Sequence, residues 1–186
     1  LKNIAISCNN IIQKGEAVIT KFGLEGNAIY GLSPEIRAQL NAISKATVFI
    51  DFKPSLTLEN VLSKIKKSIF KNTTQILKKE LKLSPSQIDL LKTYLSKESY
   101  LNIESLAKNI KKFPLELLET ASIDEAISTV GGIDLNAISK NFELKKMPNQ
   151  FCIGEMLDWD APTGGYLLQA SVSIGVYLAK YLNETN

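Results

Sequence analysis

The spacing of hydrophobic positions changes character twice along the chain. Residues 1 to about 53 read as strands joined by short turns. Glu16–Thr20 is a short β-rich run bounded by Lys14-Gly15 and by Gly23. Ala46–Phe52 alternates, with Val48, Ile50 and Phe52 on one face, and Pro54 closes it because proline cannot donate to a ladder. Between these runs Ser33 is placed to cap a helix, with Pro34 at its first position and Ile36–Leu40 continuing it.

Residues 55 to 112 switch to a helical period. Leu58, Val61, Leu62, Ile65 and Ile69 form one apolar stripe with lysines between them. Asn72 or Thr73 can cap a second helix running to Leu81. Ser84-Pro85-Ser86-Gln87 is a capping box that opens a third, carrying Ile88, Leu91 and Leu95. Asn102 is placed to cap a fourth, with Ile103, Leu106, Ala107 and Ile110 facing inward. These stripes predict a small helical bundle.

From Phe113 the period changes again. Phe113–Leu118 reads as a β-prone or irregular link, and Glu125–Val130 as a strand running into the tight Gly131-Gly132 turn. Phe142–Lys145 and Gln150–Gly154 flank Met147-Pro148-Asn149, which predicts a hairpin. The last element, Tyr166–Leu182, is helical and rich in small residues, which permit close packing against a sheet or a ligand.

Composition narrows the chemistry. There is no histidine, which excludes Ser-His-Asp and Cys-His catalysis within these residues. The two cysteines, Cys8 and Cys152, form no CxxC pattern; reduced thiols in a cytoplasmic protein are expected, with neither disulfide nor zinc site. No apolar run reaches the ~20 residues of a membrane span, so no membrane partner is expected. The chain starts at Leu1 rather than methionine, and residues upstream of it are expected. Val61–Lys82 holds seven lysines and one glutamate. With aromatic and arginine interleaving absent, this reads as the solvated face of amphipathic helices in preference to a nucleic-acid surface.

The segment that carries chemistry is Gly154–Gln169. The strand Gln150–Gly154 leads to Glu155, Asp158 and Asp160; Pro162-Thr163-Gly164-Gly165 then opens a helix. Glycines let a ligand approach the backbone, and the unpaired amides of a helix start suit a phosphate or an electron-rich carbonyl. A carboxylate just after the strand can accept a hydrogen bond from a ribityl or ribose hydroxyl. A tight structural turn is the competing reading. The three carboxylates match no EF-hand spacing, and no metal site is assigned.

The stretch FCIGEMLDWDAPTGGYLLQASVSIG resembles the C-terminal signature of the HI0933-like (YhiN-type) FAD-dependent flavoproteins. Its Met-Leu-Asp-Trp form and Leu167-Leu168 look closest to one subgroup, the PP_4765 type. Gly15–Ser33 and Glu125–Ile138 resemble two further segments of that family. The resemblance implies an α+β fold: an inserted domain of β-barrel-like strands plus a small helical bundle over 1–121, then the C-terminal strand–loop–helix part of a Rossmann-like FAD-binding domain over 122–186. It implies FAD as cofactor, with Gly154, Glu155 and Asp158 as ribityl or phosphate contacts, and Pro162, Thr163, Gly164, Gly165 and Tyr166 near the flavin ring. Gly23, Gly26, Gly131, Gly132 and Trp159 are secondary candidates; β-turn glycines and a packing tryptophan are the simpler readings of these. No GxGxxG follows a strand, so the half of the site that holds the pyrophosphate is expected elsewhere.

Three functions stay open. The chain is a fragment of an FAD-dependent oxidoreductase acting on an unknown small molecule, in which FAD supplies the chemistry. Alternatively it is a non-catalytic piece that needs a partner chain carrying the missing N-terminal half, without flavin of its own. The third reading is a Lys-rich nucleic-acid-binding module. No residue is assigned as catalytic.

Overall fold

The computed structural model describes residues 1–185, which divide into two compact units, Leu1–Thr120 and Ala121 onward. In unit 1 the strands β1 (Ile4–Cys8), β2 (Ile11–Gly15), β5 (Ala46–Asp51) and β6 (Phe113–Leu117) form an antiparallel sheet in the order β2-β1-β5-β6. The two-residue strands β3 (Val18–Ile19) and β4 (Leu24–Glu25) pair separately as a ribbon. The chain then passes through α1 (Asn27–Tyr30) and α2 (Ser33–Ile43). The helices α3 (Leu58–Lys66), α4 (Thr73–Lys79), α5 (Pro85–Tyr94), α6 (Lys97–Leu101) and α7 (Ile103–Lys111) lie between β5 and β6.

Register explains why one face of the sheet is the core. Ile6 pairs with Ile50, and Ile50 with Phe113, while Val48 pairs with Leu115; all five are buried. The intervening Ser7, Phe49 and Pro114 fall on the other face because side chains alternate. Val61, Ile65, Leu106, Ala107 and Ile110 of α3 and α7 complete the same core. The Phe52 amide donates to Ile110 O at 2.9 Å, tying the end of α7 to the end of β5. The Lys111 ammonium closes that corner: it pairs with Asp51 at 2.6 Å and donates to Lys53 O at 2.7 Å and to Leu56 O.

The helix starts follow local chemistry. Ser84 and Gln87 make the reciprocal capping box, and Asn72 and Asn102 accept the amides of Gln75 and Ser105. Ser33 does not cap α2. Leu32 is the N-cap, because the chain turns straight out of α1 and the Ile36 amide already reaches Leu32 O at 3.0 Å. α4 stops at Lys79, short of Leu81. Ile69 is not on the inward stripe of α3: the helix ends at Lys66, and Ile69 stands in the connection to α4, 87% exposed. α6, capped by Ser96, has no counterpart among the sequence expectations. Phe113–Leu117 is a full strand, with Pro114 on the sheet edge where its missing N–H costs no ladder bond.

Unit 2 contains little regular structure before α8 (Tyr166–Thr185). The strand expected over Glu125–Val130 does not form. Ser122 caps a short 3-10 turn at Ile123–Glu125, no strand lies alongside to pair with it, and Ile127 is 89% exposed. The expected hairpin reduces to single bridges, Ile138 to Leu144 and Glu143 to Phe151, around a turn in which the Gln150 amide reaches Met147 O. Gln150–Gly154 is therefore not an extended strand, and Gly154–Met156 is a 3-10 turn. A small cluster of Ile138, Cys152 and Leu157, with Phe142 and Ile174 against it, is the core here. The observed class is α+β with a small antiparallel sheet; no parallel sheet of a Rossmann-like domain occurs among the described residues. None of their helices is long and apolar enough to cross a membrane.

Candidate functional site

Two glycine-bearing segments of unit 2 are held side by side. Ile133 forms a parallel bridge with Leu157: its amide donates to Met156 O at 2.9 Å, and the Asp158 amide donates back to Ile133 O at 3.0 Å. This brings Gly131-Gly132 against the turn that follows Gly154 and Glu155. Glycine is required at 132, since a Cβ there would lie 2.6 Å from Met156 O.

Glu155 fixes the approach from the other side. Its Oε1 accepts the Thr129 amide at 2.9 Å and lies 3.5 Å from the Thr129 hydroxyl. The Gly154 turn rests on α8, and a Cβ at Gly154 would face Ser171 Oγ at 3.6 Å. Gly164 and Gly165 then lead into α8 with φ of +112° and +86°, a backbone that side chains resist. The first helical bond runs from the Gln169 amide to Gly165 O. The amides of Tyr166, Leu167 and Leu168 therefore sit at the orphan positions of a 20-residue helix, where the dipole favours an anion or a polarised carbonyl.

Pro162, Thr163, Gly164, Gly165 and Tyr166 are all exposed and contiguous at this helix start, and Tyr166 packs its ring edge beside Gly164. Trp159 is exposed in the loop between Gly154 and Gly164, and Asp158 is exposed beside it. Gly23 and Gly26 belong to unit 1. Gly23 closes the β3–β4 turn, its carbonyl accepting the Thr20 amide at 2.9 Å, and Gly26 is the N-cap of α1. Both have structural duties there. No motif in the sequence marks Thr129 or Ser171 as site residues. Thr129 lies two residues before Gly131-Gly132, a position that loop reading treats as part of a strand, so its role in holding Glu155 was hidden.

The family description that matches this chain is the HI0933-like protein barrel and H2TH domain, over residues 1–128. The chain belongs to the HI0933-like family. The match covers all of unit 1 and ends just before Thr129, so the barrel and helical portion of this family corresponds to the sheet and the α3–α7 helices. In this HI0933-like chain the sheet is open, with β2 and β6 at its edges.

Proposed function

We propose that this chain is part of an FAD-dependent oxidoreductase of the HI0933-like family, and that the loop from Gly154 to Tyr166 is its flavin-contacting segment. The observation that carries this reading is the glycine-led start of α8, whose first amides are unpaired, on a helix against which the Gly154 turn rests at Ser171. Gly164 and Gly165 leave that helix start without side chains over its unpaired amides. Such a cradle fits the donor needs of a flavin: orphan amides for a ring carbonyl or phosphate, and the Asp158 carboxylate for a ribityl hydroxyl. Bound FAD would supply hydride chemistry. The residues here would orient it, Glu155 by holding the loop through Thr129 and Gly132 by allowing the close approach. The PP_4765-type assignment and a cytoplasmic location go with this reading.

Unit 2 also supports the need for more polypeptide. On α8 the residues Leu168, Val172 and Val176, at helical spacing, are each more than half exposed. An apolar stripe of that length on a helix with so small a core beneath it suits packing against the N-terminal half of an FAD-binding domain.

The test is an absorbance spectrum in the flavin bands, taken on this chain and on a longer form that includes the upstream region. The longer form is expected to carry flavin, and its Gly132→Ala variant to lose most of it while still folding. A longer form that purifies without flavin and takes up none on titration with FAD would sink the proposal.

A further inference from the structure

The connection between α3 and α4 combines two features that the flavin site does not use. From Asn60 to Lys79 the chain has no carboxylate and six lysines, Lys64, Lys66, Lys67, Lys71, Lys78 and Lys79. At the tip of this stretch Ile69 stands 87% exposed between Lys67 and Lys71. The tip is built rather than loose. The Lys67 amide closes α3 on Ser63 O, Ser68 Oγ accepts the Phe70 amide at 3.1 Å and donates to Glu80 at 3.2 Å, and Asn72 caps α4. Of the lysines here, Lys66 is paired with Glu104 at 2.8 Å, while Lys64, Lys67 and Lys71 have no carboxylate within ion-pair distance among the described residues.

Lysines in the last turns of α3 and α4 complement the helix dipoles, which accounts for Lys64, Lys66, Lys78 and Lys79. Lys67, the C-cap of α3, shares that account; Lys71, outside the helices, does not, and neither does a large aliphatic side chain held out in water between the two. A phosphodiester backbone would match the charge but gives Ile69 nothing to bury against. An anionic bilayer matches both, because lysines sit at the headgroups while a short apolar side chain enters the acyl boundary.

We infer that the α3–α4 tip, Lys67–Lys71 with Ile69 at its apex, is a peripheral docking site for an anionic membrane surface. One aliphatic side chain and two lysines give weak, reversible attachment, no stronger than the marginal binding of a single lipid anchor. The experiment is co-sedimentation of the full chain with phosphatidylcholine vesicles containing about one-third phosphatidylserine, and with vesicles of phosphatidylcholine alone. Binding is expected to the anionic vesicles only, and to fall as salt is raised. Ile69→Ser is expected to weaken it roughly tenfold, and Lys67→Ala/Lys71→Ala roughly thirtyfold, with unchanged circular dichroism. A labelled DNA duplex serves as the competing polyanion. Equal binding to neutral vesicles, no binding at low salt, or binding to DNA with Ile69→Ser without effect on vesicles would each overturn the inference.

Discussion

Unit 1 and unit 2 come from one chain but are held together on different scales. Twenty-five hydrophobic residues of unit 1 are buried, against Ile138, Cys152, Leu157 and Leu178 in unit 2. Unit 1 carries eighteen Lys and Arg to eleven Asp and Glu, and unit 2 four to eight. A sheet covered by helices on one face can make a continuous core; a loop that wraps on a single helix cannot. Unit 2 spends its hydrogen bonds on backbone-to-backbone approach around Gly132 and Gly154, and leaves Leu168, Val172 and Val176 in water. Unit 1 is therefore held by a continuous core, whereas unit 2 is held largely by backbone contacts and keeps an exposed apolar stripe on α8.

The largest effect should come from unequal truncations in the two cores. Phe113 is fully buried, with Phe52 and Tyr94 rings 5.5 and 5.8 Å away, so Phe113→Ala should cost about 3–5 kcal/mol. Leu157 is 6% exposed in a cluster with only three buried members that can collapse, and Leu157→Ala should cost about 2–3 kcal/mol, confined to unit 2. Urea unfolding followed by Trp159 fluorescence reports unit 2, and far-ultraviolet dichroism follows the helices of both. If both substitutions shift both signals equally, the units unfold as one and the contrast fails.

A second, smaller effect tests the corner that joins sheet to helices in unit 1. Lys111 satisfies Asp51 and two carbonyls at once from a side chain only 18% exposed. Lys111→Met keeps the stem but strands the Asp51 carboxylate and the Lys53 and Leu56 carbonyls. A loss of about 1–3 kcal/mol is expected, measured by the same denaturation. Asp51→Asn/Lys111→Met should recover part of it, since the uncompensated charge is then gone. A single variant as stable as the parent would mean that the corner is held by packing alone.

What could be read from the residues was local. Ser84-Pro85-Ser86-Gln87 forms the box it spells because both hydrogen bonds lie within four residues, and Asn102 caps α7 for the same reason. Val48, Ile50 and Phe52 face the core because alternation needs only neighbours. The misses depend on distant partners. Glu125–Val130 has strand composition, but a strand exists only beside another, and the Thr129 amide goes to Glu155 instead. Ile69 continues the helical period on paper, yet the Ser68 hydroxyl takes the Phe70 amide and turns the chain out. Within the candidate site the glycines at the start of α8 could be picked out in advance. The Gly132–Met156 contact could not, because the two positions are 24 residues apart and meet only through the Ile133–Leu157 bridge.

The smallest effect concerns Cys8, and it separates burial in unit 1 from burial in general. Cys8 is fully buried on β1 with Gln39 Nε2 3.3 Å from its sulfur. Burial pushes its thiol above the ordinary value of 9.0; the charge of Glu35 adds to this, and a hydrogen bond at the Asn9 backbone opposes it. The sign for folding follows from which state holds its proton longer. Below pH 9.0 the thiol is neutral in both states and its contribution is intact. As pH rises from there through the higher folded value, the unfolded chain ionises first, so stability falls. The denaturation midpoint of the parent should therefore decline at alkaline pH more steeply than that of Cys8→Ala, whose baseline is lower from lost packing but lacks this slope. Parallel pH profiles for the two proteins would show that Cys8 ionises as easily folded as unfolded, and that burial on β1 does not hold its proton.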